Sequence, residues 1–357
     1  MKKLLSIFIC IITLTGLILC SCDTVPEETS YVPYTGQTTD TETGSVTTDA
    51  ETETGTGADT ETAPETTETQ TEAETEPPEP SPYGMFTFTE NKVNATATSP
   101  YAILIDANTK EILYINCDPE KKLYPASTTK LLTAIIAIKN CDLAAVFKPG
   151  DELELLAPDS SIAYVKKNHE LTAEMLIEGM MLPSGGDAAY VLAAGVGRKI
   201  AKDETLTGKA AVKVFVDEMN RYGKEVLGLT GSNFTCPDGD HNDDHYSTII
   251  DMMTVAYAAL YEPVIMKYAG TYTDDVRYAS GHKNTWTNSN KLIDPDSPYF
   301  YENATGMKTG TTDQAGCCLI GSAAFSTKKV LCGVFGAKDN KERYNDSRAL
   351  LVVGINR

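Results

Sequence analysis

For residues 85–357 the sequence predicts an α+β fold: a sheet whose strands come from both ends of the span, with a helical insertion between them. Three observations carry this prediction. Strand-forming runs gather at the two ends of the span, helical periodicities fill the middle, and a helical pattern follows the last strand. One sheet is then built from distant segments, and the intervening helices form the insertion.

Residues 85–100 mix Phe86 and Phe88 with polar residues and read as an entry segment. Residues 101–105 (Tyr-Ala-Ile-Leu-Ile) are a continuous apolar strand. Asp106-Ala-Asn-Thr-Lys110 is turn chemistry, and residues 111–115 return as a second strand, which makes a β-hairpin. A helix follows from Ser127, with residues 131–138 apolar on most sides. Residues 171–194 read as two helices broken at Pro183-Ser184-Gly185-Gly186. Residues 209–227 are amphipathic, because Ala211, Val212, Phe215, Val216 and Met219 recur at helical spacing. Residues 251–261 form another helix, capped by Thr248 or Ser247. Residues 286–290 read as a loop near a cleft, and Lys308 as the end of a strand. A turn at 311–316, strands at 317–320 and 330–335, and a closing helix at 341–353 complete the span.

What precedes this span is of different material. Lys2 and Lys3 followed by an apolar run from Leu4 to Leu19 resemble a bacterial export signal over residues 1–22. The run ends in Leu19-Cys20-Ser21-Cys22, which resembles a lipoprotein signal-peptidase site with Cys22 as the lipidated residue; the other reading is an ordinary signal with incidental cysteines. Residues 23–84 hold 16 acidic residues, no Lys or Arg and almost no large aliphatics. Such a segment buries too little apolar surface to offset chain entropy, so it is expected to be a disordered tether. As a coil it would span roughly 45 Å.

The net charge of −20 therefore belongs mostly to the tether, since residues 85–357 carry only −6. No basic patch points to nucleic acid. Six of the nine cysteines fall in the folded span, without disulfide-framework or metal-ligand spacing, and are expected to be mostly free, buried thiols. The four histidines form no ligand motif, so neither a metal nor a cofactor is expected.

The chemistry lies in Ser127-Thr-Thr-Lys130, Ser184-Gly-Gly186 and Lys308-Thr309-Gly310. Residues i and i+3 of a helix share a face, so Ser127 and Lys130 project into one space. A serine hydroxyl needs an adjacent base to be nucleophilic, and a lysine serves when burial lowers its pKa. The ordered trio, with Leu123-Tyr-Pro-Ala-Ser-Thr-Thr-Lys130, Met181-Leu-Pro-Ser-Gly-Gly-Asp-Ala188, His245-Tyr-Ser-Thr248 and Gly306-Met-Lys-Thr-Gly310, resembles the D-alanyl-D-alanine carboxypeptidases among the serine penicillin-recognising enzymes.

That resemblance implies a β-lactamase/DD-peptidase-like fold, an antiparallel sheet flanked by helices with a helical subdomain, and the site at their junction. It implies Ser127 as nucleophile, Lys130 as general base and Ser184 as proton relay. Lys308, Thr309, Gly310, Thr311 and Arg343 would bind substrate, with the amides of Ser127 and Thr311 as oxyanion hole. A surface ion pair is the other reading of Arg343. Gly310 is expected to let substrate pair with the strand edge. The implied partners are a stem peptide ending in D-Ala-D-Ala, β-lactams as acylating inhibitors, and the membrane through the lipid anchor. No C-terminal β domain is expected after the closing helix. The sequence departs from the family at Gly186, where an asparagine is usual; water or another side chain would take that space, or the site is weakened. The alternatives are therefore a catalytically impaired wall-binding protein and a β-lactamase. The second lacks its S-D-N motif and deacylating glutamate here.

Overall fold

The computed structural model describes residues 84–90 and 92–357. The expected signal, Cys22 and all of the expected tether but Gly84 lie outside the described residues.

The main sheet and one separate hairpin are built from β1 (Thr87–Phe88), β2 (Tyr101–Asp106), β3 (Glu111–Ile115), β4 (Thr273–Arg277), β5 (Lys283–Thr287), β6 (Ala304–Thr312), β7 (Gly316–Phe325) and β8 (Lys328–Ala337), and four two-residue strands pair elsewhere. The helices are α1 (Lys130–Asn140), α2 (Ala173–Met181), α3 (Gly186–Ala201), α4 (Gly208–Glu225), α5 (Ile249–Leu260), α6 (Pro263–Ala269) and α7 (Asn340–Asn356). A six-stranded sheet runs β1-β3-β2-β8-β7-β6. All its pairs are antiparallel except β1 with β3, so the entry segment adds a short parallel edge that its mixed composition did not reveal.

Strand alternation gives the sheet two buried faces. Ile103 and Ile105 of β2 pack with the helices of the insertion, whereas Ala102 and Leu104 pack beneath α7. This explains the unbroken apolar run that marked β2. Each such Ile or Leu contributes about 1.5–3 kcal/mol on burial. Helix α5 is apolar on most sides because it lies between the sheet and α1. Thr248 is its cap, its side chain accepting from the Asp251 N–H at 3.1 Å, worth about 1 kcal/mol.

Three expectations need correction. Lys308 lies inside β6, which continues to Thr312, because Thr309 to Thr312 pair in register with Leu319 to Gly316. Trp286 is not in a loop: it is a buried residue of the β4–β5 hairpin, and its Nε1 donates to the Ala163 carbonyl at 3.0 Å. That hairpin is otherwise mostly exposed and polar, so it carried no apolar alternation to announce it. The six cysteines of the folded span are free, but Cys117, Cys141 and Cys317 are only half-buried.

Candidate active site

The nucleophile segment begins as a 3-10 turn, Ala126–Thr129, and becomes α1 at Lys130. Lys130 Nζ donates to Ser127 Oγ at 2.9 Å, the contact expected from i, i+3 spacing. The same ammonium donates to the Asp238 carbonyl at 2.6 Å. Burial lowers the Lys130 pKa, opposed first by the charge of Asp238.

The loop carrying Asp238 is tied to the nucleophile helix at two further points. Thr133 Oγ1 donates to the Pro237 carbonyl at 2.5 Å, and Thr129 Oγ1 meets His245 Nε2 at 3.0 Å. His245 Nδ1 accepts from the Thr235 N–H at 3.1 Å, which leaves the proton on Nε2 to donate to Thr129. Burial depresses the His245 pKa to about 4, so the ring is neutral near pH 7.

Ser184 sits in the break between α2 and α3, and its Oγ accepts from Lys308 Nζ at 2.8 Å. Asp187 follows in the first turn of α3 and accepts from the N–H groups of Ala163 (2.7 Å) and Val165 (2.8 Å). This pins the loop that supplies Ser160 and Ser161 to the cleft wall. Ala126, Ser184 and Met307 hold φ of 47°, 64° and 86°, one beside or within each motif. Positive φ costs a non-glycine residue on the order of 1–3 kcal/mol, and packing at the three motifs sustains it.

Strand β6 is the sheet edge that faces the nucleophile turn. A Cβ at Gly310 would lie 2.8 Å from the Ser127 N, 3.0 Å from the Ala126 Cβ and 3.1 Å from the Thr128 N. Glycine is thus required by the nucleophile turn pressed against the strand. Thr309 points to the other face by alternation, and its hydroxyl bonds Ser289 Oγ at 2.7 Å. Arg343, on α7, donates through Nη1 to the Gly310 carbonyl (3.0 Å), Thr311 Oγ1 (3.1 Å) and the Cys318 carbonyl (3.2 Å). It is buried and holds β6 from behind, so the surface ion pair considered for it is wrong.

Ser127, Lys130, Ser160, Asp238, Asp240 and Thr311 are among the residues lining a cleft of about 350 Å³. Lys308 and Ser184 form a buried pair. Burial, then the charges of Lys130 and Arg343, drive the Lys308 pKa well below that of an ordinary lysine. The expected nucleophile, base and third-motif lysine are therefore brought close together, and Arg343 holds the strand from α7. Asp238 and His245 were not foreseen as parts of the site. The Pro237-Asp238-Gly239 turn signature was the available signal for that loop, but a turn does not say what it touches.

Comparison with known proteins agrees with this geometry. The family described as D-alanyl-D-alanine carboxypeptidase matches residues 87–339. D-alanyl-D-alanine carboxypeptidase DacF of Bacillus subtilis is 32% identical over 246 residues, covering 68% of this chain and 58% of that protein. The D-alanyl-D-alanine carboxypeptidase of Streptomyces sp. strain K15 is 30% identical over 240 residues, covering 64% of this chain and 78% of that one. The crystal structure of the Streptomyces K15 DD-transpeptidase superposes with a TM-score of 0.65 at 28% identity, covering 72% of this chain and 97% of that one. Against DacF and the DacA protein of Haemophilus influenzae, this chain spans 58% and 62% of the relative's length. Motifs, sheet topology and similarity agree, and the chain belongs to the D-alanyl-D-alanine carboxypeptidase family.

Proposed function

We propose that this protein is a serine D-Ala-D-Ala carboxypeptidase that removes the terminal D-Ala from peptidoglycan stem peptides. The observation that carries the reading is the 2.9 Å contact between Ser127 Oγ and a fully buried Lys130. Ser127 Oγ attacks the carbonyl carbon of the penultimate D-Ala and gives its proton to neutral Lys130. The amides of Ser127 and Thr311 stabilise the oxyanion. The C–N bond breaks, Ser184 relays a proton to the departing D-Ala amine, and water hydrolyses the ester to regenerate Ser127. Lys308 receives the substrate carboxylate, and Thr309, Gly310, Thr311 and Arg343 build and brace the strand beside it. A β-lactam acylates the same serine, because its amide occupies the place of the scissile bond.

Incubating the protein with diacyl-Lys-D-Ala-D-Ala and following free D-Ala tests this. Release that disappears in Ser127→Ala is expected; release retained by Ser127→Ala refutes the mechanism. Export by residues 1–22, a lipid on Cys22 and a tether over 23–84 belong to the same proposal, which the sequence of those residues supports. Palmitate labelling of the membrane fraction that is lost in Cys22→Ala is the expected result, and labelling unchanged in that variant refutes the anchor.

A further inference from the structure

The space beside Gly186, expected to be taken by water or another side chain, is taken by side chains. A Cβ built on Gly186 would lie 2.7 Å from Leu156 Cδ1, 2.8 Å from Asp238 Oδ2 and 3.5 Å from Ser160 Cβ. Leu156 and Asp238 therefore exclude an ordinary side chain at position 186 unless they move. Asp238 is held where it is: only 3% exposed, it bonds the Asp240 N–H through Oδ1 at 3.3 Å and receives Lys130 Nζ on its carbonyl at 2.6 Å.

We propose that Asp238 and Gly186 are a matched pair, in which Asp238 is the positioning residue that holds Lys130 toward Ser127 and Gly186 is the vacancy its carboxylate requires. The carbonyl fixes the ammonium in place, and the carboxylate on the same residue supports its charge after it has taken the serine proton. Other groups face this point. Asp187 and Asp240 share the sign of Asp238, Cys236 and Tyr190 are buried beside it, and Lys308 opposes Lys130. His245 stays neutral, and His241 lines the cleft. Asp238 is the strongest of the charges that support protonated Lys130.

The proposal rests on the proposed acylation of Ser127, and the test separates the two. Full-length Asp238→Asn, Asp238→Gly, Gly186→Asn and Gly186→Asn/Asp238→Gly are compared with wild type for melting temperature, D-Ala release and the pH profile of β-lactam acylation. Asp238→Asn keeps the shape and removes the charge, so its acylation midpoint should move to lower pH with folding retained. Gly186→Asn should lose at least tenfold in kcat/KM. The double variant should recover at least tenfold over the product of the single losses. An unshifted midpoint in folded Asp238→Asn overturns the proposal, as does Gly186→Asn at or above wild-type activity, or a double variant with merely multiplied losses. Should wild type neither release D-Ala nor take a β-lactam, the proposed activity fails. The pair is then decided by the Lys130 titration in carbon-13-labelled protein, which must fall in Asp238→Asn for the proposal to stand.

Discussion

Replacing Gly310 with alanine puts one methyl group where the nucleophile turn approaches the strand. The new Cβ would stand 2.8 Å from the Ser127 N, whereas ordinary contact begins at 3.4 Å, so the backbone must separate by about 0.6 Å. The obstacle is main chain, so no rotamer change relieves it. Ala126→Gly would remove the 3.0 Å contact with the Ala126 Cβ and leave the one that matters. Overpacking of this kind costs about 1–3 kcal/mol, which for a domain of this size lowers the melting temperature by about 2–10 °C. The displaced atoms are the Ser127 amide and, with it, the hydroxyl now 2.9 Å from Lys130. Misplacing reacting groups by about 1 Å costs about 100-fold in rate, so a loss of about 10- to 100-fold in kcat/KM is expected. Thermal melting, D-Ala release and second-order β-lactam acylation are read together. A Gly310→Ala protein with an unchanged melting point and activity within threefold of wild type would refute the steric reasoning.

His245 titrates at about 4 when folded, below its ordinary 6.5, because it is buried neutral. Stability is then full above about pH 6.5 and falls by about 3 kcal/mol as pH drops from 6.5 to 4, while the unfolded imidazole takes its proton; melts at pH 7 and pH 4.5 should show the loss, and folded His245→Gln should flatten it. Glu178 behaves oppositely: burial, then Asp274, pushes its carboxyl up to about 8, and its Oε1 has no hydrogen-bond partner. Its protonated form favours folding below about pH 4.5, and that advantage is lost as pH rises through 8; Glu178→Gln should raise the melting temperature at pH 8 by a few degrees and little at pH 5. Arg343→Lys keeps the charge but loses the planar guanidinium whose Nη1 holds two carbonyls and Thr311 while Nη2 bonds Asn340, so kcat/KM should fall at least tenfold in a protein that still folds. Equal activity in Arg343→Lys would show that β6 needs no such brace.

Local pattern reached far into this fold. The hairpin and α1 were readable from their apolar runs, the break at residues 183–186 from its proline and glycines, and α4 from the helical period of its apolar residues. The β4–β5 hairpin was not, because four of five residues in β4 are exposed and only Val276 and Trp286 are buried in its two strands. The site divides in the same way. Ser127 and Lys130 are neighbours on one turn, so their contact follows from spacing. The Lys308–Ser184 bond spans 124 residues and the Lys130–Asp238 bond 108, and only the folded chain brings those ends together. The positive φ of Ala126, Ser184 and Met307 has no sequence signal, since alanine, serine and methionine rarely adopt it. Gly186 was visible as a departure, but its cause lay in Leu156 and Asp238, which no local pattern connects to it.

The central claim is that Ser127, activated by Lys130, becomes acylated. Rapid acid quench of wild-type and Lys130→Ala protein with the D-Ala-D-Ala peptide, followed by peptide mapping, measures it directly. The account predicts an ester on Ser127 that forms faster as pH rises through the lowered Lys130 pKa and is nearly absent without Lys130. An acyl group on another residue, or an unchanged acylation rate in folded Lys130→Ala, would contradict it.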